Sequence, residues 1–398
     1  MTTRAVAWIG VGQLVNWGVL YYAFAVLVRP LEQELGVATW VVTGAFSMAL
    51  LMSAMLAPAV GRWGDRGHGA RAIRAGGFLA AALLAAWTAV PGVLALYIVW
   101  AALGLCMAAA LYEPAFVLVA RAHRDPAMRL RALALVTLFG GLASTLFLPG
   151  TALLVDGLGW RRAVLALAGL LAVSTGLTSV VVFRTLDTAR PARAQEHTTP
   201  PSTPRPETST RFRYVAGVFS AVSLASAAFV ANLVPTLGER GVSASAAAML
   251  GGVIGVMQLP GRALLMHGAL AGSPSLLLAT SVALQAAGLG TVALGRAWPI
   301  MACGTMVFAL GAGLTTLVRP YLVQAMFAHG SGGVLNGRIA MQQQLARAAG
   351  PLAIAWLAGR ASYSTVFALI AVVFVMMAAA SPAVLNDAQV SKTRRETT

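Results

Sequence analysis

The chain has 398 residues, of which 59% are hydrophobic and only 10% are charged, and its mean hydropathy is +0.79. A soluble domain of this size would be about 45–50% apolar and about a quarter charged, so a soluble globule is excluded. The net charge of +16 is spread over segments between apolar runs and forms no single basic face. We therefore expect a lipid bilayer, and no nucleic acid, as the large partner of this chain.

Apolar runs bounded by Gly, Pro and Arg clusters predict twelve transmembrane helices, because a helix needs about 20 apolar residues to cross a bilayer. The first six predicted spans cover residues 5–28, 39–60, 75–90, 93–120, 132–155 and 162–183. The second six cover residues 214–237, 244–268, 275–294, 298–324, 337–357 and 363–385. The predicted fold is an all-α membrane protein with two pseudo-symmetric six-helix bundles.

A polar segment at residues 184–213 separates the two groups of spans. It reads RTLDTARPARAQEHTTPPSTPRPETSTRFR, and its Pro, Thr and charge content can neither bury a core nor cross lipid. We predict an N-terminal bundle at 1–183, a cytoplasmic linker at 184–213, a C-terminal bundle at 214–385 and a cytoplasmic tail at 386–398.

The cationic residues predict the orientation of the chain. With the N-terminus in the cytoplasm, twenty Lys and Arg residues lie inside and only six lie outside. Because cytoplasmic loops carry the excess of Lys and Arg, this predicts a multi-pass protein of the inner membrane with both termini cytoplasmic. We expect it to be a monomer.

The two halves resemble each other at a shift of roughly two hundred residues. Matching positions follow the first span of each half, lie in the fourth span, and lie in the fifth: Gly36-Val37 with Gly241-Val242, Glu113-Pro114 with Arg319-Pro320, and Pro149 with Pro351. Together with the central linker, these matches predict a duplicated six-helix unit.

The loop between the second and third spans reads GRWGDRGHGAR, at residues 61–71. With twelve spans and a central linker, this loop resembles that of the major facilitator superfamily, whose signature there is G-x-x-x-D-R-x-G followed by basic residues. The residues that match this signature are Gly61, Asp65, Arg66 and Arg71. Gly67 is a one-residue insertion relative to it. The resemblance implies a transporter in which Asp65 helps to latch the two halves on the cytoplasmic side. The alternative for this loop is a solvated basic turn.

A looser resemblance is to the monocarboxylate and oxalate/formate branch of that superfamily. It rests on the stretch YYAFAVLVRPLEQELG at 21–36, on GWR at 159–161, and on cations in spans eight and eleven. In span eight Gln258 precedes Arg262, where that branch often has an acid before the arginine. In span eleven Arg347 matches the place of a second cation for an anionic substrate.

Charged residues deep in a span must face a cavity or a partner, because an ionised side chain near the bilayer centre costs at least a few kcal/mol. Arg347 lies about 15 Å along its predicted span, with Gln343 one turn earlier on the same face. We predict Arg347 as the anchor of an anionic substrate, because a guanidinium binds a carboxylate with two parallel hydrogen bonds. The alternative is a structural ion pair with Glu113.

Glu113 and Arg319 occupy equivalent places in the repeats and suggest an inner gate. Glu113 is the one carboxylate predicted deep in a span, so it is the candidate to carry a proton if transport is proton-coupled; the alternative is a permanent ion pair. Arg262 is a further substrate candidate, although it could reach the interface instead.

Polar residues on the first span recur at helical spacing, namely Gln13, Asn16 and Tyr21, and Asn232 lies in span seven. In the superfamily that the chain resembles, spans one, four, seven and ten line the cavity, which would make these residues substrate contacts. The alternative is that buried amides join neighbouring helices.

Other classes of function lack their motifs. The sequence has no HExxH and no GxSxG motif, and its one lysine, Lys392, is in the predicted tail, so neither a membrane enzyme nor an ATP-driven pump is expected. We expect no cofactor and no metal. The favoured function is a carrier of a small, monocarboxylate-like organic anion. The runner-up is a proton-coupled exporter of neutral or cationic drug-like compounds or sugars.

Overall fold

The fold is described from a computed structural model, which covers residues 2–89, 92–123, 125–188, 209–242, 244–266, 273–327 and 332–385. Every regular element within these ranges is a helix, as the sequence predicts. Large apolar side chains face outward on these helices; Leu94, Leu153 and Leu294 are each about three-quarters exposed, at 74%, 74% and 76%. Such an outer surface suits lipid, so the prediction of an all-α membrane fold is confirmed.

The first half of the chain contains nine α-helices and one π-helical turn, Gly18–Tyr22, which joins the first two helices. In chain order the α-helices are α1 (Thr3–Trp17), α2 (Ala23–Leu35), α3 (Thr39–Asp65), α4 (Gly69–Trp87), α5 (Val93–Ala110), α6 (Tyr112–Ala122), α7 (Pro126–Gly141), α8 (Ala143–Leu158) and α9 (Trp160–Thr188).

The second half contributes seven α-helices within the described residues. They are α10 (Thr210–Ala231), α11 (Leu233–Gly238), α12 (Ala244–Met266), α13 (Pro274–Leu294), α14 (Trp298–Phe327), α15 (Gly332–Ala358) and α16 (Tyr363–Leu385). Several starts carry the expected caps: the side chains of Ser209 and Ser273 each accept a backbone N–H three residues on, from Phe212 and Leu276.

Within the described residues, ten helical segments are long and apolar enough to cross a membrane. With α12 and α15 they give the twelve spans of two six-helix bundles. Four predicted spans are not single regular helices. The first contains the π-helical turn, and the fourth, fifth and seventh each divide into two helices. The apolar pattern could not reveal these divisions, because it continues through them.

The contacts group the chain into two compact units. The first comprises residues 1–198 together with 329–341, and the second comprises 199–328 together with 342–398. The beginning of α15 therefore groups with the first unit, although it belongs to the second half of the sequence. Most of the predicted linker and the predicted tail, at 189–208 and 386–398, lie outside the described residues, so the domain boundaries stay a prediction.

Both units close their first helix pair in the same way. Gly36 and Gly241 adopt left-handed φ angles of 61° and 75°, which glycine adopts without steric cost. Two residues before each glycine lies an acid that contacts the start of the unit's last helix. Glu34 pairs with Arg161 beside the start of α9, and Glu239 accepts the backbone N–H of Tyr363 at 2.9 Å at the start of α16.

Candidate functional site

A break in the fourth span places Glu113 at the beginning of a new helix. Pro114 has no N–H, so it cannot donate to the carbonyl of Ala110 four residues earlier. Leu111 adopts an extended conformation with ψ of −156°, and α6 starts at the next residue with Glu113 in its first turn. The proline thus ends α5 and turns the acid away from the line of that helix.

Two amides on α1 satisfy the carbonyl that the proline leaves free. The Nδ2 of Asn16 and the Nε2 of Gln13 each donate to the carbonyl oxygen of Ala110 at 2.8 Å, and both side chains are buried. Asn16, a predicted substrate residue, therefore uses its amide nitrogen to join α1 to the break. The Oε1 of Gln13 is buried without a hydrogen-bond partner.

A cavity lies beside these amides, inside the first unit. It is bounded by α1, α4, α6 and α9. Its polar lining consists of uncharged side chains, namely Gln13, Asn16, Thr175, Thr178 and Ser179. Such a lining can solvate a neutral group, and it carries no charge that would select an anion.

Glu113 contacts the beginning of α15. The Nδ2 of Asn336 donates to the Oε2 of Glu113, and Asn336 is only 2% exposed. The Oδ1 of Asn336 is buried and has no hydrogen-bond partner. Asn336 is not among the predicted site residues, because it lies one residue before the predicted span at 337–357. Its spacing of seven residues from Gln343, two helical turns, could have indicated a shared face.

The loop motif holds the same end of α15. The carboxylate of Asp65 accepts the backbone N–H groups of Gly333 at 2.8 Å and Val334 at 2.9 Å, in the first turn of that helix. Because a helix begins with unpaired N–H groups and a positive dipole end, a carboxylate binds well there. Arg121 of α6 donates to the backbone carbonyl of Asp65.

Small residues allow α3 and α15 to approach at this place. A Cβ on Gly61 would collide with the carbonyl oxygen of Gly333, and a Cβ on Gly337 would collide with that of Ala57. The Gly of the loop motif thus has a packing role. Arg66, which caps α3, and Arg71 on α4 are both exposed.

The inserted glycine of the motif makes a tight turn. Gly67 has a φ of 86°, and the backbone N–H of the following residue, His68, donates to the carbonyl of Trp63. A residue with a Cβ would be strained at that φ, so the extra residue is accommodated because it is glycine.

In the second unit, a chain of hydrogen bonds joins Arg319 of α14 to Gln343 of α15, and Gln343 to α10. The Nη1 of Arg319 donates to the Oε1 of Gln343 on α15 at 2.7 Å, and the Nε2 of Gln343 donates to the Oγ of Ser223 on α10 at 2.8 Å. Arg319 is 8% exposed and Gln343 is 9% exposed. Arg319 is predicted from the sequence as part of a gate, whereas Ser223, which lies 120 residues from Gln343, is not among the predicted site residues.

Arg347, the predicted anchor, lies one turn beyond Gln343 on α15 and is exposed. Four residues rise about 6 Å along a helix and return to nearly the same face. Gln343 and Arg347 therefore follow each other along one stripe of α15.

The other predicted substrate residues of the second unit make contacts within it. The Nη2 of Arg262 donates to the Oε1 of Gln258 one turn earlier, at 3.0 Å, and Arg262 is 5% exposed. Asn232 ends α10, and its Nδ2 donates to the carbonyl of Pro351 on α15 at 3.3 Å. Asn232 thus joins helices as Asn16 does.

Tyr21 lies in the π-helical turn, among aromatic rings. Its ring centroid is 5.2 Å from those of Trp17 and Phe46, and Trp17 is 4.9 Å from Tyr112 at the start of α6. π-Helical turns occur often at functional sites. Tyr21 is half-buried, so its position is compatible with either a packing or a contact role.

No cluster of His, Cys, Asp or Glu suited to a metal ion occurs among the residues that the structure describes. The candidate site residues are a carboxylate and amides in the first unit, and arginines with a glutamine in the second.

Solved structures with a similar fold are transporters. The human organic anion transporter MFSD10 (TETRAN) matches with a TM-score of 0.74 and 15% identity, over 96% of this chain and all of that one. The E. coli fucose:proton symporter FucP matches with a TM-score of 0.68 and 14% identity, over 94% and 97% of the two chains. The proton:xylose symporter XylE matches with a TM-score of 0.66 and 12% identity, over 95% and 94%.

Comparison with curated protein sequences finds no match. A family profile does match: that of the Major Facilitator Superfamily covers residues 9–273, about two-thirds of the chain. This agrees with the expectation from the loop motif and the twelve spans, and with a transporter rather than an enzyme. The chain belongs to the major facilitator superfamily.

Proposed function

We propose that this member of the superfamily is a secondary active transporter that moves a small, monocarboxylate-like organic anion across the inner membrane by alternating access. The observation that carries the proposal is the buried guanidinium of Arg319, held by Gln343 in the second unit. Arg347, one turn further along α15, adds a second cation on the same stripe.

The contact between Arg319 and Gln343 favours an anionic ligand. Gln343 is a neutral partner, and its hydrogen bond orients the guanidinium. An arginine that is already oriented loses less side-chain entropy when an anion binds. The fork of N–H groups on an arginine also matches the two oxygens of a carboxylate.

The fold comparison is compatible with this substrate class. One solved structure with the same fold is named an organic anion transporter. At 15% sequence identity, the similarity between the two chains shows a common fold only. The substrate class therefore rests on the arginines of this chain.

The first test is a thermal-shift screen of the detergent-purified protein against small carboxylates, sugars and cationic drugs. A ligand that binds only the folded state raises the apparent melting temperature, by an amount equivalent to about 2.7 kcal/mol at a hundred times its Kd. We expect carboxylates to stabilise the wild type, and this stabilisation to be lost in Arg347→Gln and Arg319→Gln.

Arg360→Gln is the matched control, because Arg360 is an exposed arginine beyond the end of α15 that stacks on Trp356. This variant loses the same charge and should respond to carboxylates as the wild type does. Undiminished carboxylate stabilisation in Arg347→Gln and Arg319→Gln would contradict the anion site.

A second candidate function is proton-coupled export of neutral or cationic drug-like compounds or sugars. It is favoured by Glu113, a half-buried carboxylate of the first unit, and by the cavity of the same unit, whose polar lining is uncharged. Two of the solved structures with this fold are named proton symporters of sugars. Stabilisation by sugars or cationic drugs that depends on Glu113, with no response to carboxylates, would select this function.

The proposed setting is the inner membrane, with both termini in the cytoplasm and one chain as the working unit. Reporter domains that are active on only one side of the membrane, fused to either terminus, test the orientation directly. Activity of both fusions on the cytoplasmic side supports it, as the distribution of Lys and Arg predicts.

A further inference from the structure

Asn336, which is buried, and Glu113, which is half-buried, form a pair that is incomplete while the acid is ionised. A carboxylate has only acceptor atoms, whereas a carboxamide has two N–H donors and one acceptor oxygen. The contact in the structure uses one N–H of Asn336 and one oxygen of Glu113. The acceptor oxygen of Asn336 is buried and has no donor.

A proton on Glu113 would complete this pair. The protonated carboxyl has one O–H, which can donate to the Oδ1 of Asn336, and one carbonyl oxygen, which can accept from its Nδ2. The two side chains would then share two hydrogen bonds in a closed ring. Because an unmade hydrogen bond is expensive in a buried place, the proton removes a defect that the ionised pair retains.

The fourth-span break keeps Glu113 where this exchange can occur. Pro114 ends the regular hydrogen bonding of α5, and Asn16 and Gln13 hold the freed carbonyl of Ala110. Glu113 therefore lies in the first turn of α6, and it reaches α15 three residues, almost one turn, beyond Gly333. Gln13 and Asn16 are positioning residues for the acid.

Other ionisable groups occur on the elements that pack around this pair. Asp65 binds the backbone N–H groups of α15 one turn earlier. The remaining charged side chains on α15, on α6 and on the helices that contact α6 are all arginines: Arg4, Arg62, Arg71, Arg74, Arg121, Arg129, Arg131, Arg338 and Arg347. The other titratable side chains of these helices are Tyr97, Cys106 and Tyr112. Among the acids, Glu113 is distinguished by its amide partner.

We propose that Glu113 and Asn336 form the proton-binding site of this transporter, and that protonation fastens the beginning of α15 to the first unit. The proton is taken from water onto a carboxylate oxygen and returns to water when the pair opens. This inference deepens the proposed function and rests on it, since it names the ion that drives transport and the contact that the ion controls.

Infrared difference spectroscopy between acidic and alkaline buffers tests the site without any substrate. A protonated carboxyl has a C=O stretch that carboxylates lack, so the wild type should gain this band on acidification. We expect the band of Glu113 to be absent in Glu113→Gln, to shift in Asn336→Leu, and to return towards the wild-type position in Asn336→Gln, which keeps an amide. Glu239→Gln is the control, because Glu239 binds backbone N–H groups at the start of α16.

Hydrogen–deuterium exchange of the peptide that contains Gly333–Ala340 provides the second readout. After correction for the intrinsic effect of pH, exchange in the wild type should slow on acidification, whereas in Asn336→Leu it should not respond. If Asn336→Leu does not fold, the wild type and Glu113→Gln alone decide the matter. An acid-induced band that is the same in the wild type and in Glu113→Gln, or a pH-independent exchange rate in the wild type, would overturn the proposal.

These results are separable from a failure of the proposed anion transport. A wild type that shows the Glu113 band but is stabilised by no carboxylate would refute the substrate class and retain the proton site. A wild type that is stabilised by carboxylates but lacks the band would refute the proton site alone.

Discussion

The two units carry a proline at related places and respond to it differently. Pro114 follows a break between α5 and α6, whereas Pro320 lies inside the unbroken α14. The difference follows from the neighbouring helix. In the first unit Gln13 and Asn16 donate to the freed carbonyl of Ala110. At the corresponding positions of α10, 205 residues on, the chain has Val218 and Ala221, whose side chains have no donor.

A proline in a membrane helix thus ends the helix where a neighbour supplies donors for the carbonyl that it leaves free. The presence or absence of the break also determines how each unit positions its charged residue. The break brings Glu113 to the first turn of a helix and into contact with an amide. The unbroken α14 carries Arg319 within a regular helix, where Gln343 of α15 orients it.

The largest expected effect comes from removing the donors. In the double variant Gln13→Leu with Asn16→Leu, the carbonyl of Ala110 loses both amides, and we expect the free energy of unfolding to fall by about 2–3 kcal/mol. Unfolding in mixed detergent measures it. Gln33→Leu is the matched control, because Gln33 is exposed on α2 and should cost little. If the double variant is as stable as the control, the amides do not stabilise the break between α5 and α6. The proposed reason for the difference between Pro114 and Pro320 would then be wrong.

A smaller effect, expected in the second unit and absent in the first, comes from the prolines themselves. Pro320→Ala adds an N–H inside a continuous helix, and the new hydrogen bond should stabilise the protein by about 1 kcal/mol. Pro114→Ala adds an N–H in the first turn of α6, where a helix leaves its N–H groups unpaired, so no gain is expected there. The same unfolding assay compares the two variants. Equal stabilisation by both substitutions would show that the break has no dependence on its surroundings.

The smallest effects concern the acids that hold the last helix of each unit. Glu34→Gln removes an exposed pair with Arg161, which should cost less than about 1 kcal/mol and vanish at high salt. Glu239→Gln weakens the cap at the start of α16 by about 0.5–1 kcal/mol, and salt should matter less because backbone N–H groups are its partners. Measurement of both variants at low and high salt sharpens the comparison. A stronger salt response for Glu239→Gln would contradict it.

The sequence predicts the helices because apolar length is a direct consequence of bilayer thickness. It also shows the loop motif and places Gly36 and Gly241 at matching positions of the two halves, although their left-handed φ angles are known only from the structure. The division of the fourth span is different. Glu113-Pro114 and Arg319-Pro320 are alike as sequence, and the structure differs because of amides that lie about a hundred residues away.

The candidate site is predictable in part for the same reason. Arg319, Gln343 and Glu113 stand out as polar residues in apolar runs, so the sequence identifies them without their partners. Asn336 and Ser223 do not stand out, since the first lies at the edge of a predicted span and the second is a common residue in membrane helices. Their importance comes from contacts across 223 and 120 residues, respectively.

The grouping of residues 329–341 with the first unit has a consequence for biosynthesis. The ribosome finishes the first half of the chain long before it makes the segment that packs against Asp65 and Gly61. At about 5–20 residues per second, the delay is roughly 7–30 seconds. During that interval the nascent first unit must wait in the membrane with the carboxylate of Asp65 lacking its eventual partners. A translocon or chaperone that shields this face would therefore have to cover it while the residues between α9 and α15 are synthesised.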